Sequence, residues 1–311
     1  MESPGSKHAY LIMAHHQFEL LEMLLKLLDH EKHDFYIHID RSAGEFDFDR
    51  LKKIPKKSRI HFTKRLSIKW GGHSQIQCEQ LLLEEAVKGN YTFYHLLSGA
   101  DLPLKPADTI YRFFEENCGS EFLYFSSDEF SATREIQERV SIYHFFKNFY
   151  GRKNRFFEIC DHISARVQRI LNIDRMKKYG YSVRCGANWF SISHELAKFV
   201  CSQKKQIKRC FYHSYCADEV FLHTIVYHKY GNELPLYRKE VGSDYLTCAR
   251  LIDWNRGEPY TFRSLDFDEL MSSEAMFARK FDYRADPEIC HRIFNTLTGK
   301  ESFLDTIQSS L

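Results

Sequence analysis

Tyr10-Leu11-Ile12-Met13-Ala14, with Phe18, Leu21, Leu25 and Leu28 recurring behind it, decides the fold of this chain. An unbroken apolar run of this length suits a strand buried on both faces, and the helical spacing that follows gathers the next apolar residues on one side of a helix. The alternation continues. Phe35-Tyr36-Ile37-His38-Ile39, ending at Asp40, is a second strand and Arg59-Ile60-His61-Phe62-Thr63 a third; after a helix from Ser74 to Lys88, Tyr91 to Leu97 is a fourth. Repeated βα units predict an α/β fold, a mostly parallel sheet with helices on both faces. In such sheets ligands bind beyond the C-terminal ends of the strands. That directs attention to Ala14-His15-His16, Asp40-Arg41, Lys64-Arg65 and Ser98-Gly99-Ala100-Asp101.

The middle of the chain is patterned differently. Glu121-Phe122-Leu123-Tyr124-Phe125 is a further candidate strand. From Arg152 to Leu171 the apolar positions Phe156, Ile159, Ile163, Val167 and Ile170 make one long amphipathic helix. Its other face carries Arg152, Lys153, Arg155, Arg166 and Arg169 and is expected to be solvated, with an anionic membrane or polyanion surface as the alternative. Gly186 to Ser193 is expected to be a strand, followed by a helix from Glu195 to about Lys204. Ala217-Asp218-Glu219 opens another helix, with Val220, Phe221, Ile225 and Val226 on its buried side.

Composition narrows the function classes. With 43% hydrophobic and 15% aromatic residues in 311, a substantial core is expected, and a net charge of +2 is too balanced for a nucleic-acid binder. Nine cysteines, an odd number without a C-x-x-C pair, indicate reduced thiols and a cytoplasmic location rather than a disulfide framework or zinc site. Met1 to Lys7 lacks an apolar targeting core, and the apolar stretch Leu20 to Leu28 is interrupted by Glu22 and Lys26, so neither a signal peptide nor a membrane span is expected.

The chemistry gathers in two places. Near the C-terminus Ser272 to Tyr283 sets Arg279 and Lys280 between Phe277 and Phe281, cations suited to a phosphate-rich ligand, or else a pair at the rim of the core. Asp218 and Glu219 are adjacent carboxylates at a helix start; one suffices as a cap, leaving Glu219 free to act as a general base toward a hydroxyl. Two D-x-D triplets, Asp47-Phe48-Asp49 and Asp266-Phe267-Asp268, follow no apolar strand and are better explained as a charged loop and a helix cap than as metal ligands. His15, His16, His38 and Asp40 admit a metal phosphoesterase cluster as a more distant alternative.

Seven segments taken in order, Ala9 to His16, Ile37 to Asp40, Ile68-Lys69-Trp70-Gly71-Gly72, Leu97 to Leu104, Gly186-Ala187-Asn188-Trp189-Phe190, Ala217-Asp218-Glu219 and Phe277 to Asp282, resemble the core-2/I-branching β-1,6-N-acetylglucosaminyltransferase and peptide O-xylosyltransferase family, glycosyltransferase family 14. The resemblance implies a GT-A-type, Rossmann-like fold. It also implies inverting, metal-independent transfer of GlcNAc or xylose from a UDP-sugar to a hydroxyl of a glycan or glycoconjugate, with no cofactor. Glu219 would be the base; Arg263, Arg279 and Lys280 would face the diphosphate. Ala14, Asp40, Ile68, Lys69 and Trp70 would hold uridine, with His15 and Arg41 beside them, and Asp101, Asn188 and Trp189 would lie near the sugar. Fixed cations can replace a metal at the departing diphosphate, and inversion requires a single base. The expected layout is an unstructured start over 1–7 and one domain over 8–300, with a nucleotide half over about 8–110 and an acceptor half over about 111–300. The family's animal members are Golgi type II membrane proteins with luminal disulfides. This chain's pattern departs from theirs and favours a cytoplasmic bacterial enzyme of surface-glycan synthesis, with peripheral contact at the inner membrane as a further expectation. The alternative is a nucleotide- or glycan-binding module that keeps the fold without turnover.

Overall fold

In a computed structural model, which describes residues 6–150, 155–241 and 243–299, five strands form the central sheet in the order β3-β2-β1-β4-β6. These are β1 (His8–Ala14), β2 (His33–Ile39), β3 (Arg59–Phe62), β4 (Phe93–Ser98) and β6 (Ser191–Ser193). Between β4 and β6 in sequence lies β5 (Leu102–Pro103), which joins β7 (Arg250–Ile252) and β8 (Phe277–Arg279) in a small second sheet ordered β5-β8-β7. Strands β3, β2, β1 and β4 run parallel and β6 is antiparallel to β4. The α/β fold with a mostly parallel sheet is therefore present.

The helices around the sheet include α1 (Phe18–Leu27), α2 (His73–Ala86), α3 (Ala107–Glu116), α4 (Arg134–Ser141), α5 (Arg155–Ile170), α6 (His194–Ser202), α7 (Phe221–Tyr230) and α8 (Pro287–Thr298). Successive residues of β1 serve opposite cores, as the two-residue period of a strand requires. Tyr10 and Ile12 pack with Leu21 and Leu25 of α1, Phe114 of α3 and Ile289 of α8. Ala9 and Leu11 pack with Leu82 of α2, Leu196 of α6 and Phe221 of α7. Helices thus cover both faces of the sheet. Ser6 bonds to Glu115 at 2.7 Å and Lys7 pairs with Asp34 at 3.3 Å, which ties the approach to β1 onto α3 and β2.

Three expectations need correction. Glu121–Phe125 is not a strand: Glu121, Phe122 and Phe125 make isolated bridges to Leu236, Ser191 and Gly186, because the segment crosses between three different partners instead of following one. The expected strand from Gly186 shrinks to Ser191–Ser193 for the same reason. Helix α5 exists, but its apolar positions do not face the core. Phe156 is 68% exposed and Ile163 61%, while the buried residues are Asp161, Ala165 and Gln168. Arg152 and Lys153 lie outside the described residues.

Arg250, 2% exposed, fastens the small sheet to the edge of the large one. Its guanidinium donates to Cys248 O at 2.7 Å, Phe190 O at 2.6 Å and Ser191 Oγ at 3.0 Å, and lies over the Phe277 ring. Burial lowers its pKa to about 10, which leaves it charged at neutral pH. Arg250→Met is expected to cost roughly 2–4 kcal/mol of stability in urea unfolding, because it strands those acceptors in a dry interface. An unchanged midpoint would refute this.

Candidate functional site

The C-terminal ends of β1, β2 and β4 meet along one rim. Asp40 N–H donates to Ala14 O at 2.9 Å, and the Asp40 carboxylate accepts from Ser42 N–H at 2.7 Å and Ile68 N–H at 3.1 Å. One buried carboxylate therefore fixes both its own turn and the Ile68-Lys69-Trp70 loop, where the sequence suggested a ribose or base contact. His38 Nε2 accepts from Leu66 N–H at 2.9 Å, so this ring holds the same loop. Its acceptor nitrogen is thereby spent, which weakens the phosphoesterase alternative. Arg41 and Arg65 both reach backbone carbonyls, Arg41 to Arg65 O at 3.0 Å and Arg65 to Asp40 O at 2.6 Å. His15 is exposed and lies against His16, the ring centres 3.9 Å apart and the planes tilted by 46°. Gly99 packs directly on Ala14, where a Cβ would come within 3.0 Å of the alanine methyl.

The cations predicted from the sequence join this rim through β8. Phe281 N–H donates to Ala100 O at 2.9 Å, which fastens the end of β8 to the turn after β4. Arg279 has 16% side-chain exposure; it pairs with Asp101 at 3.6 Å and stacks on Trp189 at 3.9 Å. Burial pulls its pKa down and the Asp101 charge opposes that. Asp101 also accepts from Ser98 N–H at 2.9 Å and Ser98 Oγ at 2.8 Å, so its carboxylate organises the turn and Arg279. Phe262 N–H donates to Lys280 O at 3.0 Å, which sets Arg263 and Lys280 on adjoining backbone, both half-buried.

Glu219 sits elsewhere on the same edge. It ends a single turn of 3-10 helix, Ala217–Glu219, ahead of α7, rather than entering a long helix. Its side chain is 44% exposed in a cleft of about 510 Å³ lined by Trp70, Gln75, His144, His162, Tyr215 and Asp218 among others. The cleft shares Trp70 with the rim. Cys216 N–H donates to Gly71 O at 2.9 Å, and Gly71 has φ +71°, a conformation that favours glycine; a Cβ there would meet Tyr215 at 2.7 Å. Asp218 accepts from Gln75 Nε2 at 2.9 Å and Asn188 Nδ2 at 3.5 Å. Next to Asn188 is Trp189 under Arg279, so a continuous set of contacts runs from the carboxylates to the cations. Desolvation, then the Glu219 charge, raises Asp218 to about 7, and burial holds Glu79 well above the usual range beside it.

Arg139 of α4 was not foreseen. It donates to Glu219 Oε2 at 2.8 Å and to Glu135 Oε1 at 2.9 Å, holding the Glu219 carboxylate from a helix without a motif. Among the described residues no group of three His, Cys, Asp or Glu is arranged to hold a metal ion. Asp47 caps the helix Phe48–Lys52 by accepting from Arg50 N–H, and Asp266 accepts from Arg263 N–H at 2.7 Å, so both D-x-D triplets take part in helix starts.

A family model described as Core-2/I-Branching enzyme matches residues 8–274. The chain is similar to Xylosyltransferase sqv-6 of Caenorhabditis briggsae, 24% identical over 291 residues that make up 86% of this chain and 34% of that protein. It is 23% identical to Xylosyltransferase 2 of Homo sapiens over 93% of this chain and 33% of the relative. To Xylosyltransferase oxt of Drosophila pseudoobscura pseudoobscura it is 27% identical over 83% and 29%. The chain spans about a third of the length of these relatives. A crystal structure of mouse Xyloside xylosyltransferase 1 in its apo form covers 88% of this chain and 97% of its own, with TM-score 0.36 and 11% identity.

Proposed function

Because the chain belongs to the Core-2/I-branching enzyme family, we propose that it is a glycosyltransferase that moves GlcNAc or xylose from a UDP-sugar to a glycan hydroxyl, with inversion and without a metal. The observation that carries this reading is Glu219, a carboxylate open to a cleft that shares Trp70 with the rim bearing Arg279 and Lys280. A base there takes the acceptor's proton as its oxygen attacks the sugar. Cations on the rim receive the charge that builds on the departing UDP; at 4 Å and an effective dielectric near 20, one such pair gains about 4 kcal/mol. Arg279 is already paired with Asp101, so it sets the local potential. Lys280 and Arg263 are the adaptable cations. The cytoplasmic location inferred from the cysteines and a role in bacterial surface-glycan synthesis belong to the same proposal.

Thermal melting with UDP tests the donor and metal assignments together. UDP at about 100 times its dissociation constant should stabilise the fold by roughly 2.7 kcal/mol, equally with and without EDTA. Loss of the shift in EDTA with recovery in Mn²⁺ would overturn metal independence, and a shift with GDP or CMP but none with UDP would overturn the donor. Lys280→Ala should weaken UDP binding, by an amount that shrinks at high salt.

One observation favours a second reading, a binding module without turnover: the Arg139–Glu219 ion pair occupies the carboxylate. Release of UDP from a UDP-sugar at a rate unaffected by Glu219→Gln would support it.

A further inference from the structure

Helix α5 is turned inside out. Asp161, Ala165 and Gln168 are its buried positions, and Gln168 ties it down by accepting from Tyr143 N–H at 2.7 Å and donating to Tyr143 O at 2.9 Å. At about 100° per residue the opposite side is a single apolar stripe. Ile159, Ile163, Val167 and Ile170 are 51%, 61%, 49% and 73% exposed, and Leu171 follows at 64%. Arg155, Arg166 and Arg169 stand along one flank of that stripe, Arg169 also reaching Glu138 at 2.6 Å, with the half-buried Glu158 as the acidic residue on that side.

We propose that α5 is a membrane-docking helix that lies in the interface of a bilayer containing anionic lipid. The isoleucines and Val167 enter the acyl boundary while Arg155 and Arg166 meet the phosphates. A helix that buries its polar side against the protein and leaves its apolar side outward gains nothing from its own core, whereas an interfacial bilayer removes that stripe from water. The basic excess selects the occupant: Arg155 and Arg166 outnumber the half-buried Glu158 on that flank, and each basic residue near an anionic leaflet adds attraction that a neutral apolar groove would not supply. His162 of the same helix lines the cleft that holds Glu219, so docking would set that cleft beside the lipid surface. The corollary that the acceptor is carried at a membrane rests on the glycosyltransferase reading; the docking itself does not.

Sedimentation of the full chain with sucrose-loaded vesicles tests the proposal. Vesicles of phosphatidylcholine mixed with phosphatidylglycerol should pellet the protein, phosphatidylcholine alone should do so less well, and added salt should reduce the difference. The double variant Ile163→Glu/Val167→Glu should lose about tenfold or more in vesicle affinity at an unchanged melting temperature, and Arg155→Glu/Arg166→Glu should lose the preference for the anionic lipid. No pelleting by anionic vesicles, or equal pelleting of wild type and Ile163→Glu/Val167→Glu, would overturn it. So would a wild-type dimer that dissociates in that variant, which would assign the stripe to a second copy of the chain. Vesicle binding without any melting shift from UDP would uphold the docking face while removing the donor assignment.

Discussion

Glu219→Gln is expected to leave UDP affinity nearly unchanged and to lower turnover by a factor of about 10² or more, because glutamine keeps the shape but takes no proton. The amide oxygen can still accept from Arg139, so the Ala217–Glu219 turn should hold its position and the loss should fall on the chemical step. Initial rates and UDP titrations on the purified variant separate the two quantities. Loss of UDP binding with little change in turnover would show that Glu219 belongs to the donor site and that the base lies elsewhere.

Acid is expected to unfold this protein early. His8, His33 and His95 are buried in one cluster around Tyr10 and their pKa values are lowered, chiefly by desolvation; burial brings His73 and His223 to about 4. A histidine that stays neutral when folded but protonates when unfolded favours unfolding by about 1.4 kcal/mol for each pH unit below 6.5. Three carboxyls act in the opposite sense. Glu79, Glu121 and Asp218 are raised by burial, so they stay protonated when folded and add stability as the pH falls. The lowered imidazoles outnumber the raised carboxyls, so net stability should fall as the pH drops below about 6.5, the ordinary histidine value. Urea unfolding at pH 7.5, 6.5 and 5.5 measures this directly. A stability that is flat or rising toward pH 5.5 would contradict the assignment of neutral buried histidines.

What the sequence disclosed follows from where each element is buried. β1, β2 and β4 were legible because strands covered on both faces need unbroken apolar runs, and the polar residues ending those runs mark the rim. β5, β7 and β8 have only two or three residues each, too few for any period to show. For α5 the spacing revealed which residues share a side but not which side meets the protein, and the polar side does. At the site, Glu219, Arg279 and Lys280 belong to quotable motifs, whereas Arg139 reaches Glu219 across 80 residues from an ordinary amphipathic helix. Asp40 and Asp101 were expected as site residues from the resemblance; in the fold both carboxylates are engaged with backbone amides and neighbouring side chains, which no motif discloses.

β8 also dictates the order in which the protein can be made. Among the described strands it is the last in sequence, yet it pairs with β5 on one side and β7 on the other, joining segments that leave the ribosome far apart in time. Until it arrives, Asp101 has no guanidinium beside it and the indole of Trp189 has nothing to stack against. The parallel part of the large sheet can form on the nascent chain, since its strands are complete by β4, while the rim must wait. Contacts of such sequence separation are slow to close. A growing chain therefore passes through a stage with its parallel strands complete but one core still lacking Phe277, Phe281 and Ile289, and with an unassembled rim, a half-built surface on which chaperones have time to act.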